Sequence, residues 1–346
     1  MHRLLNTLFI AGLLAANASA IVTTKSNYTD PVYGTTINGI YEGVVQLQVG
    51  QPGIGTYSCS GALLSSGTQI LTAAHCLSDL RGGATYGQVQ LGSVVTAYFD
   101  NQGSAGIVAS GFVVNPLWDI STLLGDLAII TLPSPAPLSA QRYDIYRNTD
   151  ELGQVADIVG YGIRGTGNTG TATNYSSISG FGNQVKLHGQ NRVDAFTVNP
   201  ADIDVNFVVP GAFLLMDFDN GLGAQNYWGD LGQGDFEINT APGDSGGPAF
   251  IGGKIAGVTS WGECTSADIN LTRSAGGYCN STNSTFGEIF GETRVSQYAA
   301  WIDGQTATPE PATYAMMLTA LTLLTVVRRN YRALPGHNRP GVVAQF

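Results

Sequence analysis

Charge is scarce in this 346-residue chain and positive charge scarcest, with 12% of residues charged and 15 Lys and Arg set against 25 Asp and Glu. Five of those cations stand near the ends, as Arg3, Arg328, Arg329, Arg332 and Arg339, so residues 21–303 hold 10 basic and 24 acidic residues, a net of −14. A body that acidic repels phosphate backbones, which excludes nucleic-acid binding. Cysteine is limited to four residues with no CxxC pair, which excludes the clustered ligand sets of zinc modules. Glycine is abundant at 46 residues but has no three-residue period, so a collagen-like rod is excluded as well. Long helical periodicity is missing before the C-terminal tail, and with it a helical bundle.

A chain 43% hydrophobic is long enough for one large or two ordinary cores. Its apolar residues fall in short β-type runs bounded by Gly, Asn, Asp and Ser, at residues 44–49, 69–72, 88–97, 106–114, 127–132, 155–159, 207–216 and 254–260. Many short strands predict an all-β barrel or sandwich. Residues 295–302, with Val295, Tyr298, Ala299 and Ile302 at helical spacing, predict one helix. Two polar stretches, 164–191 and 217–235, read as long surface loops, with His188 solvated in the first.

The ends differ from the body. His2 and Arg3, an apolar run over residues 4–16 and the small-x-small triplet Ala18-Ser19-Ala20 predict a signal peptide over residues 1–20, cut before Ile21. Export makes the cysteines legible, since oxidising compartments favour disulfides. They fall as two local pairs, Cys59 with Cys76 and Cys264 with Cys279, the alternative being four reduced thiols. Residues 304–311 contain Pro309-Glu310-Pro311 and read as a linker; residues 312–327 carry no charge and read as a membrane segment; the basic tail 328–346 stays cytoplasmic.

Three residues invite chemistry. Ser245 stands in PGDSGGP at residues 242–248, where glycines let backbone N–H groups approach a substrate carbonyl without an intervening Cβ. His75 ends the apolar run 70–74, and Asp126 heads the apolar run 127–130. A buried acid needs a partner, and an imidazole that becomes cationic supplies one.

With TAAHC at residues 72–76, GDLAII at 125–130, GDSGGP at 243–248 and SWG at 260–262, residues 40–303 resemble the trypsin-like serine proteases of the chymotrypsin fold. The resemblance implies two six-stranded antiparallel β-barrels and a C-terminal helix. It implies His75 as general base, Asp126 as the residue that orients it, and Ser245 as nucleophile, with the N–H groups of Gly243 and Ser245 as the oxyanion hole. It places Asn239, Ser260, Trp261 and Gly262 at the primary specificity pocket, the opposite wall lying near Phe290 or Gly291. A neutral Asn239 at the pocket floor favours a small, apolar or polar uncharged substrate residue. The family's disulfide beside the histidine matches Cys59–Cys76, and its buried aspartate corresponds to Asp244, which would pair with a free amine at Ile21. No metal or organic cofactor is implied. The sequence DFDNG at 217–221 lacks the glycine and glutamate of an EF-hand calcium loop and reads as an acidic turn.

The tail, with its Pro-Glu-Pro, apolar run and basic pair, resembles the PEP-CTERM sorting signal, which implies the envelope, surface or surroundings of a Gram-negative bacterium. Its partners would be protein or peptide substrates, signal peptidase, an exosortase-type sorting enzyme and the membrane. The expected function is an exported serine endopeptidase acting through an acyl-enzyme. Two alternatives keep the fold: an esterase using the same triad, and a silent adhesion or matrix module.

Overall fold

The computed structural model describes residues 21–307, apart from 28–29, 35–38, 82, 101–104, 172–184, 198–208, 224, 230 and 265–283, together with residues 319, 321–324 and 328. The chain divides into two compact units, residues 1–303 and 304–346. The first half of the larger unit runs through β1 (Val22–Thr23), β2 (Val44–Gln51), β3 (Gly55–Leu63), β4 (Gln69–Thr72), β5 (Val94–Tyr98), β6 (Ile107–Val108), β7 (Gly111–Val114) and β8 (Ala128–Thr131). The second half continues with β9 (Val155–Gly160), β10 (Gly165–Thr166), β11 (Gly170–Thr171), β12 (Leu187–Arg192), β13 (Phe213–Asp217), β14 (Ile238–Asn239), β15 (Pro248–Ile251), β16 (Lys254–Cys264) and β17 (Glu288–Arg294). A 3₁₀ turn at Val295–Tyr298 then leads into α1 (Ala299–Thr306).

Two curled sheets dominate. The first orders its strands β6-β5-β2-β3-β4-β8-β7, seven where six are expected. The extra strand has a simple origin. At residues 109–110 the backbone changes partner, Ala109 N–H donating to Val95 O (2.8 Å) and Ser110 N–H to Thr131 O (2.8 Å), so β6 and β7 are one bent strand that joins both sheet edges. The second sheet has six strands in the order β12-β9-β15-β16-β17-β13, and an Ala195–Leu215 bridge links the segment just after β12 to β13. A third, four-stranded sheet, β11-β10-β1-β14, stitches the segment after Ile21 onto the second barrel.

Each barrel has its own apolar filling. Leu47, Ile70, Ile129 and Ala97 fill the first, and Ile302 of α1 packs on the same cluster. Ile21, Ile158, Leu214, Met216 and Phe290 fill the second. Each such burial contributes about 1.5–3 kcal/mol relative to exposure, which makes these clusters the main source of stability.

The polar stretch 164–191 is not one surface loop: its end forms β12, and His188 packs 5.4 Å from the Tyr41 ring, where burial pulls its pKa down. The second stretch is pinned by buried acids. Asp217 accepts the Tyr227 N–H (2.6 Å), and Glu237 accepts the Asp219 N–H (2.9 Å), so the residues read as an acidic turn hold their own loop. Among the described residues no helix is long and apolar enough to cross a membrane, and no three His, Cys, Asp or Glu side chains gather as a metal site. The leader at 1–20, residues 308–318 and 329–346 of the tail, and Cys279 lie outside the described residues.

Candidate active site

The strand β4 and the turn after it deliver His75, and the turn before β8 delivers Asp126, so the two meet across one sheet edge. Asp126 is fully buried and grips the histidine twice, at His75 N–H (2.8 Å to Oδ1) and at Nδ1 (2.7 Å to Oδ2). Ser260 of β16 donates a third hydrogen bond to Oδ2 (2.6 Å), so this residue, expected at the specificity pocket, also orients the acid. With Nδ1 donating to Asp126, Nε2 is left as the proton acceptor. Burial pulls the His75 pKa down, but the Asp126 charge and hydrogen bond outweigh it and hold it above its ordinary 6.5.

A cavity of about 310 Å³ has His75 and Ser245 in its wall together with Gly243, Thr240, Thr259 and Ser260. Gly243 and Ser245 lie in the tight turn between β14 and β15. Gly243 has φ +100°, a backbone conformation that a side chain would strain. Among the described residues neither its N–H nor that of Ser245 has an intramolecular acceptor, while the Ser245 carbonyl accepts Ser60 N–H (2.8 Å). Two unengaged N–H groups beside a serine hydroxyl can receive a developing oxyanion.

Asp244 points away from the cavity into the second barrel. It accepts N–H bonds from Gly162 (2.8 Å), Ala241 (2.9 Å) and Ile21, yet burial still pushes its carboxyl up to about 7. A Cβ on Gly160 would fall 2.1 Å from Asp244 Oδ1, so glycine is required there by close approach.

The disulfide Cys59–Cys76 closes beside the site and borders the cavity. Cys264 belongs to β16, and its expected partner Cys279 lies outside the described residues. On the specificity side, Trp261 and Gly262 line the cavity, but it is Thr240 and not Asn239 that faces it; Asn239 is buried in β14, paired with Val22. Phe290 packs into the second core among Ile21 and Met216, so its ring does not plug the cavity. Behind the wall, Thr259 donates to Glu292 (3.0 Å), a fully buried carboxyl pushed up to about 8 by burial, with Asp244 adding in the same direction. Glu292 and Ser60 had no sequence signal. Each is a polar residue inside a strand pattern, and only the tertiary contact gives it a role.

A trypsin family model matches residues 35–201. Brachyurin of Leptuca pugilator is 27% identical over 251 residues, covering 72% of this chain and 88% of the relative. These matches support a trypsin-like serine endopeptidase. Alkaline trypsin B of Manduca sexta is 28% identical over 267 residues, covering 74% and 90%. Two solved structures share the fold of this trypsin-like domain: a collagenase, with TM-score 0.55, 18% identity and coverage of 80% of this chain and 99% of that one, and the mouse serine protease neuropsin, with TM-score 0.52, 17% identity and the same coverage.

Proposed function

We propose that this chain is an exported serine endopeptidase whose nucleophile is Ser245, with His75 as general base and Asp126 as its anchor. The observation that carries the reading is the doubly hydrogen-bonded His75–Asp126 pair in the wall of the cavity that also holds Ser245. Ser245 Oγ adds to the scissile carbonyl carbon while its proton passes to His75 Nε2. The resulting oxyanion is received by the N–H groups of Gly243 and Ser245. Collapse expels the amine, which takes the proton from His75, and water repeats the sequence on the acyl-enzyme. Among the described residues the cavity wall, with Thr240, Thr259, Trp261 and Gly262 on its specificity side, holds no carboxylate, and Glu292 behind it is held neutral at neutral pH by burial, which favours a small, apolar or polar uncharged substrate residue.

Activation follows from the N-terminus. Ile21 is buried, its N–H reaches Asp244, and its φ is +75°, a strained value for a β-branched residue that costs on the order of 1–3 kcal/mol. That torsion is defined by the carbonyl carbon of residue 20, so cleavage before Ile21 abolishes the strain and places an ammonium beside Asp244. Signal peptidase cleavage at this bond would therefore activate the enzyme as it exports it. The Pro-Glu-Pro tail then directs membrane retention and processing by an exosortase-type enzyme in a Gram-negative envelope, for which the sequence pattern is the support.

The test is labelling of the exported protein by a fluorophosphonate, with the modified residue and the N-terminus read by mass spectrometry. Labelling at Ser245 that disappears in Ser245→Ala, on a chain starting at Ile21, is the expected result. Absence of labelling on a chain that does start at Ile21 would overturn the reading.

A further inference from the structure

Gly243 and Ser245 belong to the second half of the chain, but the residue that fixes them comes from the first barrel. Ser60, fully buried in β3, touches both. Its hydroxyl donates to Gly243 O (3.0 Å), and its N–H donates to Ser245 O (2.8 Å). The same hydroxyl accepts Tyr161 N–H (3.0 Å) from the segment after β9, and its carbonyl accepts the Thr72 hydroxyl (2.8 Å) from β4. Four hydrogen bonds thus converge on one side chain and its backbone, joining β3, β4, β9 and the nucleophile turn.

The consequence lies in peptide planes. A planar peptide that has its carbonyl fixed has its N–H fixed on the opposite side. The Pro242–Gly243 plane is held from one side, because Pro242 O accepts Ile163 N–H (2.9 Å), and this turns Gly243 N–H away from Ile163. The Gly243–Asp244 plane is held by the Ser60 hydroxyl. Gly243, with a glycine's freedom at φ +100°, is therefore clamped on both flanks, once by each barrel. Tyr161 also precedes Gly162, whose N–H holds Asp244, so the hydroxyl of Ser60 stands one residue from the Ile21 pocket.

We propose that Ser60 is the positioning residue of the oxyanion site: its hydroxyl sets the orientation of Gly243 and so ties the donor geometry to the docking of the two barrels. The inference rests on the peptidase reading above. Ser60 does not touch substrate, so its effect is on the transition state rather than on substrate affinity.

The experiment compares wild type with Ser60→Ala, which keeps the backbone N–H and removes only the hydroxyl. A fall of about 10- to 100-fold in kcat on a peptide amide is expected, with KM within about twofold. The inhibition constant of a peptide aldehyde, whose hemiacetal oxygen occupies the oxyanion site, rises by the same factor. Binding of the uncleaved peptide to Ser60→Ala/Ser245→Ala, by calorimetry, matches that of Ser245→Ala. Unchanged kcat and aldehyde affinity would overturn the inference, as would equal losses in aldehyde and peptide binding, which mark a general structural defect. Ser60→Cys, similar in size with a weaker donor, serves if the alanine variant does not fold, and falls between it and wild type. If wild type itself neither cleaves nor labels at Ser245, the peptidase reading fails. The Gly243 amide shift in NMR spectra then decides this inference alone: a shift in the variant supports it and an unmoved Gly243 resonance ends it.

Discussion

At the scale of single residues, the site is governed by which buried polar groups have partners. His75 and Asp126 satisfy each other, so the imidazole is aligned before substrate arrives. The raised histidine pKa gives the sign of a pH effect. Protonated His75 cannot accept the serine proton, so kcat/KM rises with pH with a midpoint above 6.5, and a midpoint below 6 in a rate profile limited by chemistry would contradict the assignment. Glu292 is the opposite case. Its Oε2 has no hydrogen-bond partner among the described residues, and its pKa is pushed up to about 8. A carboxyl raised on folding contributes its full stability below its unfolded value, here 4.5, and loses that contribution as pH rises from there through the folded value. Glu292→Gln, a neutral isostere, is therefore expected to change stability by less than about 1 kcal/mol at pH 4, where the carboxyl is protonated in both the folded and the unfolded chain, and to exceed wild type at pH 9. Urea denaturation at the two pH values checks this; an equal difference at both would show that Glu292 does not titrate between them.

At the scale of elements, the first barrel depends on a cross-link as well as on packing. Cys59 and Cys76 are 17 residues apart, and closing a loop of that length restricts the unfolded chain by about 3 kcal/mol. Replacing both with alanine is expected to lower the melting temperature in step with that loss, and a calorimetric scan that left it unchanged would show the bond to be dispensable. The same elements show what the sequence made legible. Strand β4 coincides with the expected run at 69–72, because Ile70 and Leu71 fill the core between polar turns. The motifs carrying His75, Asp126 and Ser245 were readable because His75 and Asp126 border short apolar runs and Ser245 stands in a glycine-rich turn, and the structure sets Asp126 on His75 and places His75 and Ser245 in one cavity wall. Strands β3, β12 and β17 escaped because polar or small residues stand in them where apolar ones mark a strand. The residues of β17 are all buried, yet they include Glu288, Glu292 and Arg294, whose burial is made tolerable by distant partners such as Glu151, 2.7 Å from Arg294. Strand β3 is rich in Gly and Ser, small residues chosen for close approach to the nucleophile turn, and so lacks the apolar alternation by which strands are recognised. The expected helix at 295–302 begins instead as a 3₁₀ turn and becomes α-helical at Ala299.

At the scale of the whole molecule, the decisive feature is that the segment beginning at Ile21 is built into the second barrel. Val22 pairs with Gly165 and Asn239, and Ile21 lies in the core, so these residues are part of the packing of the second barrel. In a chain that continues N-terminally of Ile21, Asp244 has only N–H donors, and its pKa stands at about 7, up from 3.8. The sign follows from linkage: the raised carboxyl contributes stability below about pH 4, and that contribution is lost as pH climbs through 7, by up to about 4 kcal/mol. A free ammonium at Ile21 reverses the situation, since it favours the ionised carboxylate. Two forms of the protein, one beginning at Ile21 and one extended before it, are therefore expected to diverge as pH rises from 4 to 7, the extended form losing stability that the trimmed form retains. Parallel stability curves for the two forms across that range would mean that the Ile21 amine does not reach Asp244, and would separate the role of this pocket in activation from its role in packing.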